Sequence, residues 1–485
     1  MLFKIKSVNT PFWILTVLVF IALLLPKMIQ EGLFLDGMLY ACVSKNLAYG
    51  YGTFWFPKFS ELGIAGLDTF HEHPPLVFGI QALFFKILGY SFYTEKIYSF
   101  FTGCVTAWLI VCSWKLIHKD NNDFAKLSWL PVLFWIIMPI VFYSFQNNLM
   151  ENTMGIFIMM AFYFAIRALK LEKQVWLNMV LSAIAIFLAS FSKGIPGLFP
   201  IGIVGIWWLV KRTISFKQMV MYTLVLILIP TLIYLALIFF NENAFESLSN
   251  YTIKRLFQRV QNAHTVGSRF HILEKLIVET LPTILLTIIF LAAGSFKMLR
   301  NKIQKLYNFD ILFVFLIGLS GTIPLMLTLV QKSFYFIHAL PFFALTMAML
   351  SAPVIAKWVG KINIQNVIFK AFYFASVIGL IVVLFYSYKQ IGKTERDQEI
   401  LHDVHLVGEI IPAGTLIGID AEMHNNWGLH TYMVRYYNIS FDPRNADKRP
   451  FILSKKSKSE FDSSKFVRVD LPLKVFSLYE AKKEK

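Results

Sequence analysis

Asp36 stands directly after an apolar run long enough to cross a bilayer, and His71, Glu72 and His73 come just before Pro74 and Pro75. The stretch from Leu35 to Leu76 is too polar and too rich in Gly and Pro to be another span, so it lies outside the hydrocarbon. Carboxylates and imidazoles at the water edge of a membrane domain are groups that move protons or bind cations. Three short turns hold further candidates: Gln146, Asn147, Asn148 and Glu151; Ser192, Lys193 and Gly194; and Gln331, Lys332, Ser333, Phe334 and Tyr335. Taken by itself the first group reads better as a solvated turn, and a lysine at a helix end commonly snorkels to the interface. Two lysines on the face disfavoured for positive charge, with several carboxylates on the same face, suit an anionic head group.

The elements that must position these residues follow from composition. Of 485 residues, 57% are apolar and 15% charged, with a mean hydropathy of +0.60; a soluble domain carries about a quarter charged residues. The chain therefore reads as a polytopic α-helical membrane protein. Its net charge of +17 reads as lysines and arginines collected in cytoplasmic loops, not as a nucleic-acid surface. Three cysteines, Cys42, Cys104 and Cys112, show neither a disulfide framework nor zinc-ligand spacing. Lys4 and Lys6 precede the first apolar run, and Pro26, Lys27 and Met28 follow it where a leader would need small residues, which marks an uncleaved span.

Apolar runs of roughly 17 to 25 residues, about eleven of them, fall near 11–30, 94–114, 127–145, 152–170, 175–191, 195–210, 218–240, 276–296, 309–330, 334–353 and 366–388. The run from Val77 to Leu88 is too short to cross and suits an interfacial helix. With a cytoplasmic N-terminus, every cytoplasmic connection is basic, and Asp36, Glu72, Glu151, Lys193, Lys332 and the tail share the opposite face. The loop 241–275 on that face is amphipathic and carries Lys254, Arg255, Arg259, His264, Arg269 and His271. It is either a surface helix held by lipid phosphates or a source of an arginine that clamps a phosphate in a site. The charge density rises after residue 388, which divides a membrane domain, 1–388, from a small α/β domain, 389–485. Helices are predicted there at 395–410 and 427–436, and strands at 415–420, 439–442, 451–454, 466–470 and 475–478.

Asp36-Gly37-Met38-Leu39-Tyr40-Ala41, Glu72-His73-Pro74-Pro75-Leu76, Asn148-Leu149-Met150-Glu151-Asn152, Ser192-Lys193-Gly194 and Lys332-Ser333-Phe334-Tyr335 occur in this order. In that order they resemble the GT-C membrane glycosyltransferases, specifically the bacterial branch of the protein mannosyltransferases that includes the lipid A aminoarabinose transferases. The resemblance covers residues 10–350 and, weakly, the tail. It implies a multi-pass protein of the cytoplasmic (inner) membrane whose site and tail are extracytoplasmic. It further implies inverting transfer of a sugar from a polyprenyl-phosphate donor to a glycolipid, polysaccharide or protein acceptor. Asp36 matches the catalytic acid, Lys193 and His73 attend the donor phosphate, and Lys332 and Tyr335 fall in the last motif near it. Glu72 is a candidate ligand for a divalent metal, the one cofactor the resemblance suggests. The sequence departs from the family at Gly37, where a second acid is common, at Glu151, where Asp is usual, and at His73, where some relatives have Lys.

For the donor that the resemblance implies, Asp36 would take the acceptor's proton and Glu151 would position acceptor or sugar. Lys193, Lys332, His73 and Arg255 or Arg259 would stabilise the departing phosphate. A transporter or lipid flippase is the alternative, but transporters place ionisable groups near the midplane of repeated halves, and no repeat is present. A non-catalytic scaffold is the third reading.

Overall fold

The computed structural model describes residues 7–63, 68–257, 265–294, 308–455 and 465–482. It divides into two compact units, residues 1–29 with 99–391 and residues 30–98 with 392–485. The sequence boundary at 388 falls close to the second junction, and the structure adds that the segment 30–98 groups with the tail.

In the first unit the helices follow the apolar runs. Among the described residues, nine helices are long and apolar enough to cross a membrane, from Thr10–Met28 to Val367–Tyr388. Two of the predicted spans take another form. The run 127–145 is two helices, Trp129–Ile136 and Pro139–Gln146, bent by 77°. Met138 is extended (φ −70°, ψ 123°) because it precedes a proline, and Pro139 then opens the second helix. The run 195–210 is a 3₁₀ segment, Ile195–Gly202, broken by Pro196 and Pro200, before the short helix Ile203–Lys211.

Packing in this unit uses rings and small residues. Phe12 stacks on Trp129 (centroids 4.8 Å) and tilts against Phe372 (5.4 Å), which fastens the first helix beside the last. Met150–Leu171 lies against Val175–Lys193, whose buried Ser182, Ala183, Ala185 and Ala189 allow close approach. Ser182 Oγ donates to the Ala161 carbonyl at 2.9 Å.

The second unit holds a five-stranded sheet in the order β2-β1-β3-β5-β4, with β1 Leu416–Ile419, β2 Ser440–Asp442, β3 Phe451–Lys455, β4 Phe466–Arg468 and β5 Phe476–Ala481. β1 runs parallel to β2 and β3, and β5 antiparallel to β3 and β4. The helices Gln398–Ile410 and Trp427–Tyr437 complete the α/β fold. Buried Asp403 accepts the backbone N–H groups of Lys474, Val475 and Phe476 at 2.7, 2.8 and 3.0 Å, so its charge is fully solvated by the chain.

The segment 30–98 supplies two helices to this unit, Leu35–Ala48 and Leu76–Leu88. Leu33 and Met38 join Leu401, Ile417, Tyr432 and Leu478 in one apolar core. The Cys42 thiol donates to the Thr431 carbonyl at 3.2 Å and Lys45 Nζ to the Val434 carbonyl at 2.7 Å. Burial pushes the Cys42 thiol up to about 12 and pulls the Lys45 ammonium down to about 8. Arg435, at the end of Trp427–Tyr437, pairs with Glu95 at 2.7 Å with both side chains fully buried, and donates to the Ser91 carbonyl at 2.8 Å. Its guanidinium also lies over the Phe85, Tyr90 and Tyr436 rings at 4.9, 5.5 and 5.7 Å. Beside the chain ends of this unit, Glu31 N–H donates to the Lys393 carbonyl and Glu395 N–H to the Glu31 carbonyl, both at 2.8 Å.

Candidate functional site

The sequence candidates fall into two groups, one in each unit. In the first unit, Glu151 lies in the first turn of Met150–Leu171, where the helix dipole favours an anion. Asn148, at φ 52°, turns the chain before it, and the Ser144 hydroxyl donates to Asn152 Oδ1 at 2.8 Å while Asn152 Nδ2 donates to the Ser144 carbonyl at 3.0 Å. That exchange fixes the turn. Lys193 closes Val175–Lys193, at the end where the dipole favours a cation, and Gly194 (φ 91°, ψ −145°) stops the helix there. A Cβ at Gly194 would run into the Tyr251 hydroxyl, which itself donates to the Lys193 carbonyl at 3.4 Å.

Glu151 and Lys193 form an ion pair with side-chain exposures of 1% and 9%. The Lys193 ammonium lies 5.1 Å from the centroid of Tyr335 and 5.8 Å from that of Phe334. Glu151 Oε2 is buried and has no hydrogen-bond partner among the described residues. Lys332 lies 5.3 Å over the Phe334 ring and opens on a cavity of about 580 Å³ that Ile140, Tyr143, Glu279 and Phe334 also line. Buried Gln331 steadies this turn: its amide donates to the carbonyls of Arg269 and Thr328 at 2.9 and 2.8 Å and accepts from Ile272 N–H at 2.9 Å. Glu279 Oε2 accepts the Ile140 N–H at 2.8 Å, at the start of the second half of the bent pair.

In the second unit, Asp36 occupies the first turn of Leu35–Ala48, one helical turn before Tyr40 and on the same face. The Tyr40 hydroxyl and His73 Nε2 are 3.2 Å apart, with the rings edge to face. Glu72 is half-buried beside His73, and His71 is buried, its Nε2 2.8 Å from the Thr69 hydroxyl. Arg259 lies outside the described residues, as does the side chain of Arg255. No three His, Cys, Asp or Glu side chains among the described residues come together as metal ligands would.

Sequence reading passed over Tyr251, Glu279 and Tyr40. Glu279 carried a signal, as a carboxylate inside an apolar run; Tyr251 and Tyr40 are named by contacts distant in sequence.

A family model described as dolichyl-phosphate-mannose-protein mannosyltransferase matches residues 72–236. No curated protein matches the chain by sequence. Among solved structures, ArnT from Cupriavidus metallidurans bound to undecaprenyl phosphate is similar at a TM-score of 0.65 and 12% identity, over 96% of this chain and 97% of that one. Its apo state is similar at 0.63 and 13%, over 96% and 95%. The apo Archaeoglobus fulgidus oligosaccharyltransferase is similar at 0.54 and 11%, over 92% of this chain and 70% of its own. At such identities the likeness establishes the fold, which is the GT-C fold. The family model matches less than half of the chain; the apolar helices and the likeness in fold make the chain a multi-pass membrane protein.

Proposed function

We propose that this protein moves a sugar from a polyprenyl-phosphate donor to a glycolipid, polysaccharide or protein acceptor, with inversion, at the outer face of the cytoplasmic membrane. The observation that carries this reading is Lys193: a lysine whose side chain is nine-tenths buried, with its ammonium against the rings of Phe334 and Tyr335, in the same unit as Lys332 and its cavity. A cation kept out of water is a site for a compact anion. The similarity to a structure bound to undecaprenyl phosphate supports a lipid phosphate as that anion.

The chemistry then balances simply. The acceptor's oxygen or nitrogen forms a bond to the anomeric carbon from the face opposite the phosphate, the bond from that carbon to the phosphate oxygen breaks, and the phosphate keeps the electron pair. Lys193 and Lys332 carry the charge that develops on it, with Tyr335 beside Lys193. Asp36 takes the acceptor's proton, which contributes about 10²- to 10⁴-fold.

Transfer from undecaprenyl-phosphate-linked sugars, with envelope glycolipids and glycans profiled by mass spectrometry in cells with and without the protein, tests this. The expected result is a glycosylated product that disappears without the protein and falls by about 10²-fold or more in Asp36→Asn. Full transfer by a normally inserted Asp36→Asn protein removes Asp36 from that role. Movement of a labelled lipid across vesicles without any transfer replaces the whole reading.

A further inference from the structure

The geometry points to an exchange of partners at Lys193: Glu151 holds its ammonium until a lipid phosphate takes it over, and takes it back to drive the phosphate out. The inference rests on the polyprenyl-phosphate reading above and gives Glu151 a role distinct from positioning sugar or acceptor.

Glu151 is a poor permanent partner. One oxygen meets Lys193, and Oε2 is buried with no hydrogen bond among the described residues. Ionised, a carboxylate has acceptor capacity for about four hydrogen bonds, so this one is only partly compensated where water does not reach it. Nothing similar fixes the lysine to one geometry. An ammonium is a point charge with three rotatable donors on a flexible stem, and the ring faces of Tyr335 and Phe334 accept it from several directions. The Lys193 side chain keeps 9% exposure and that of Glu151 1%, so the lysine is the more accessible of the two.

The reaction itself supplies a reason for exchange. The donor is a phosphodiester with one negative charge; transfer leaves a phosphate monoester with about 1.5 to 2 at neutral pH. A cation alone would hold the product more tightly than the substrate and the site would stay filled. With Lys193 drawn to the phosphate, Glu151 is left without its counter-ion near a more charged anion. Each step that strengthens the hold of Lys193 on the phosphate raises the cost at Glu151, and return of the lysine releases the product. Glu151 is therefore a positioning residue that acts through Lys193.

Binding of undecaprenyl phosphate to the purified full chain in nanodiscs tests the exchange, with Glu151→Gln, Lys193→Gln and the double variant compared. Loss of the competitor should lower Kd about tenfold in Glu151→Gln, the scale of one charge-assisted hydrogen bond. Lys193→Gln should raise Kd by about tenfold or more. In the Lys193→Gln background, Glu151→Gln should change little. Damage to the fold weakens binding and does not tighten it, so the direction separates exchange from a structural role. Glu151→Asp, which keeps the charge and shortens the reach, should give a smaller tightening and serves if Glu151→Gln does not yield folded protein. Unchanged or weaker binding in a folded Glu151→Gln protein overturns the exchange. So does equal tightening in the Lys193→Gln background, which makes Glu151 a simple repulsive charge. Absence of saturable undecaprenyl phosphate binding by the unaltered protein overturns the donor reading itself, and the exchange with it.

Discussion

Among the described residues, each unit contains a buried acid–base pair built from the same local parts, yet the two pairs do different work. In both, an acid from the first turn of one helix meets a base from the last turn of another: Glu95 with Arg435, and Glu151 with Lys193. Arg435 is enclosed. Its Nη2 alone reaches Glu95 Oε2 and the Ser91 carbonyl, three rings lie against the guanidinium, and neither side chain of the pair has any exposure; Glu95 Oε1, like Glu151 Oε2, is buried with no hydrogen-bond partner among the described residues, so enclosure and not saturation sets this pair apart. Lys193 has a rotatable head, one carboxylate and two ring faces, and it keeps a small opening. A guanidinium locked by geometry joins segments; an ammonium held by charge alone can change partners.

The comparison can be broken by mutation. Arg435→Met leaves Glu95 as an uncompensated buried charge and should cost about 3–5 kcal/mol of stability, read as a fall in Tm and in monodisperse yield. Adding Glu95→Leu should restore most of it, because an apolar pair of similar volume replaces a buried ion pair without loss. Should Arg435→Met prove as stable as the unaltered protein, Arg435 does not join the two segments. Gly194→Ala should cost about 1–3 kcal/mol, since the backbone there suits glycine alone and the new methyl meets Tyr251; it should also lower transfer by displacing Lys193. A protein unchanged in both measurements would mean that Gly194 does not set the position of Lys193.

The smallest effect expected is at His405. It is hydrogen-bonded to Glu31 Oε1 at 2.8 Å and to the Tyr437 hydroxyl at 2.8 Å, and the bond to Glu31 raises its pKa. A raised imidazole pKa stabilises the fold in full below the unfolded value of about 6.5, and that contribution is lost as pH rises through the folded value. His405 is 39% exposed, so water screens the pair and weakens its contribution to stability. His405→Gln should therefore lower Tm more at about pH 6 than at about pH 9. An equal loss at both pH values would make the contact one of packing alone.

Much of the tail was legible because its signals are local. The turn at Pro412, Ala413 and Gly414 and the alternation around Leu416 place a strand at Leu416–Ile419, and the predicted helices lie at Gln398–Ile410 and Trp427–Tyr437. The spans were legible from apolar run length, except where proline intervened: Pro139 divides one run, and Pro196 with Pro200 shortens another. The helix Leu35–Ala48 was not legible, because its buried face includes Lys45 and Asn46, polar residues whose partners are carbonyls elsewhere in the chain. Of the candidate site, residue types and order pointed to Glu151, Lys193, Lys332 and Tyr335, and the structure brings Glu151, Lys193 and Tyr335 together. That Glu151 and Lys193 are each other's partner is a contact between two helix ends, and no pattern along one helix encodes it.

The discontinuity of the second unit has a consequence for biosynthesis. Leu33 and Met38 emerge from the ribosome hundreds of residues before Leu401, Ile417, Tyr432 and Leu478, with which they share a core. Throughout synthesis of the intervening membrane helices the early segment waits with apolar surface uncovered, in need of a chaperone. A chain cut short before β5 leaves part of that surface bare.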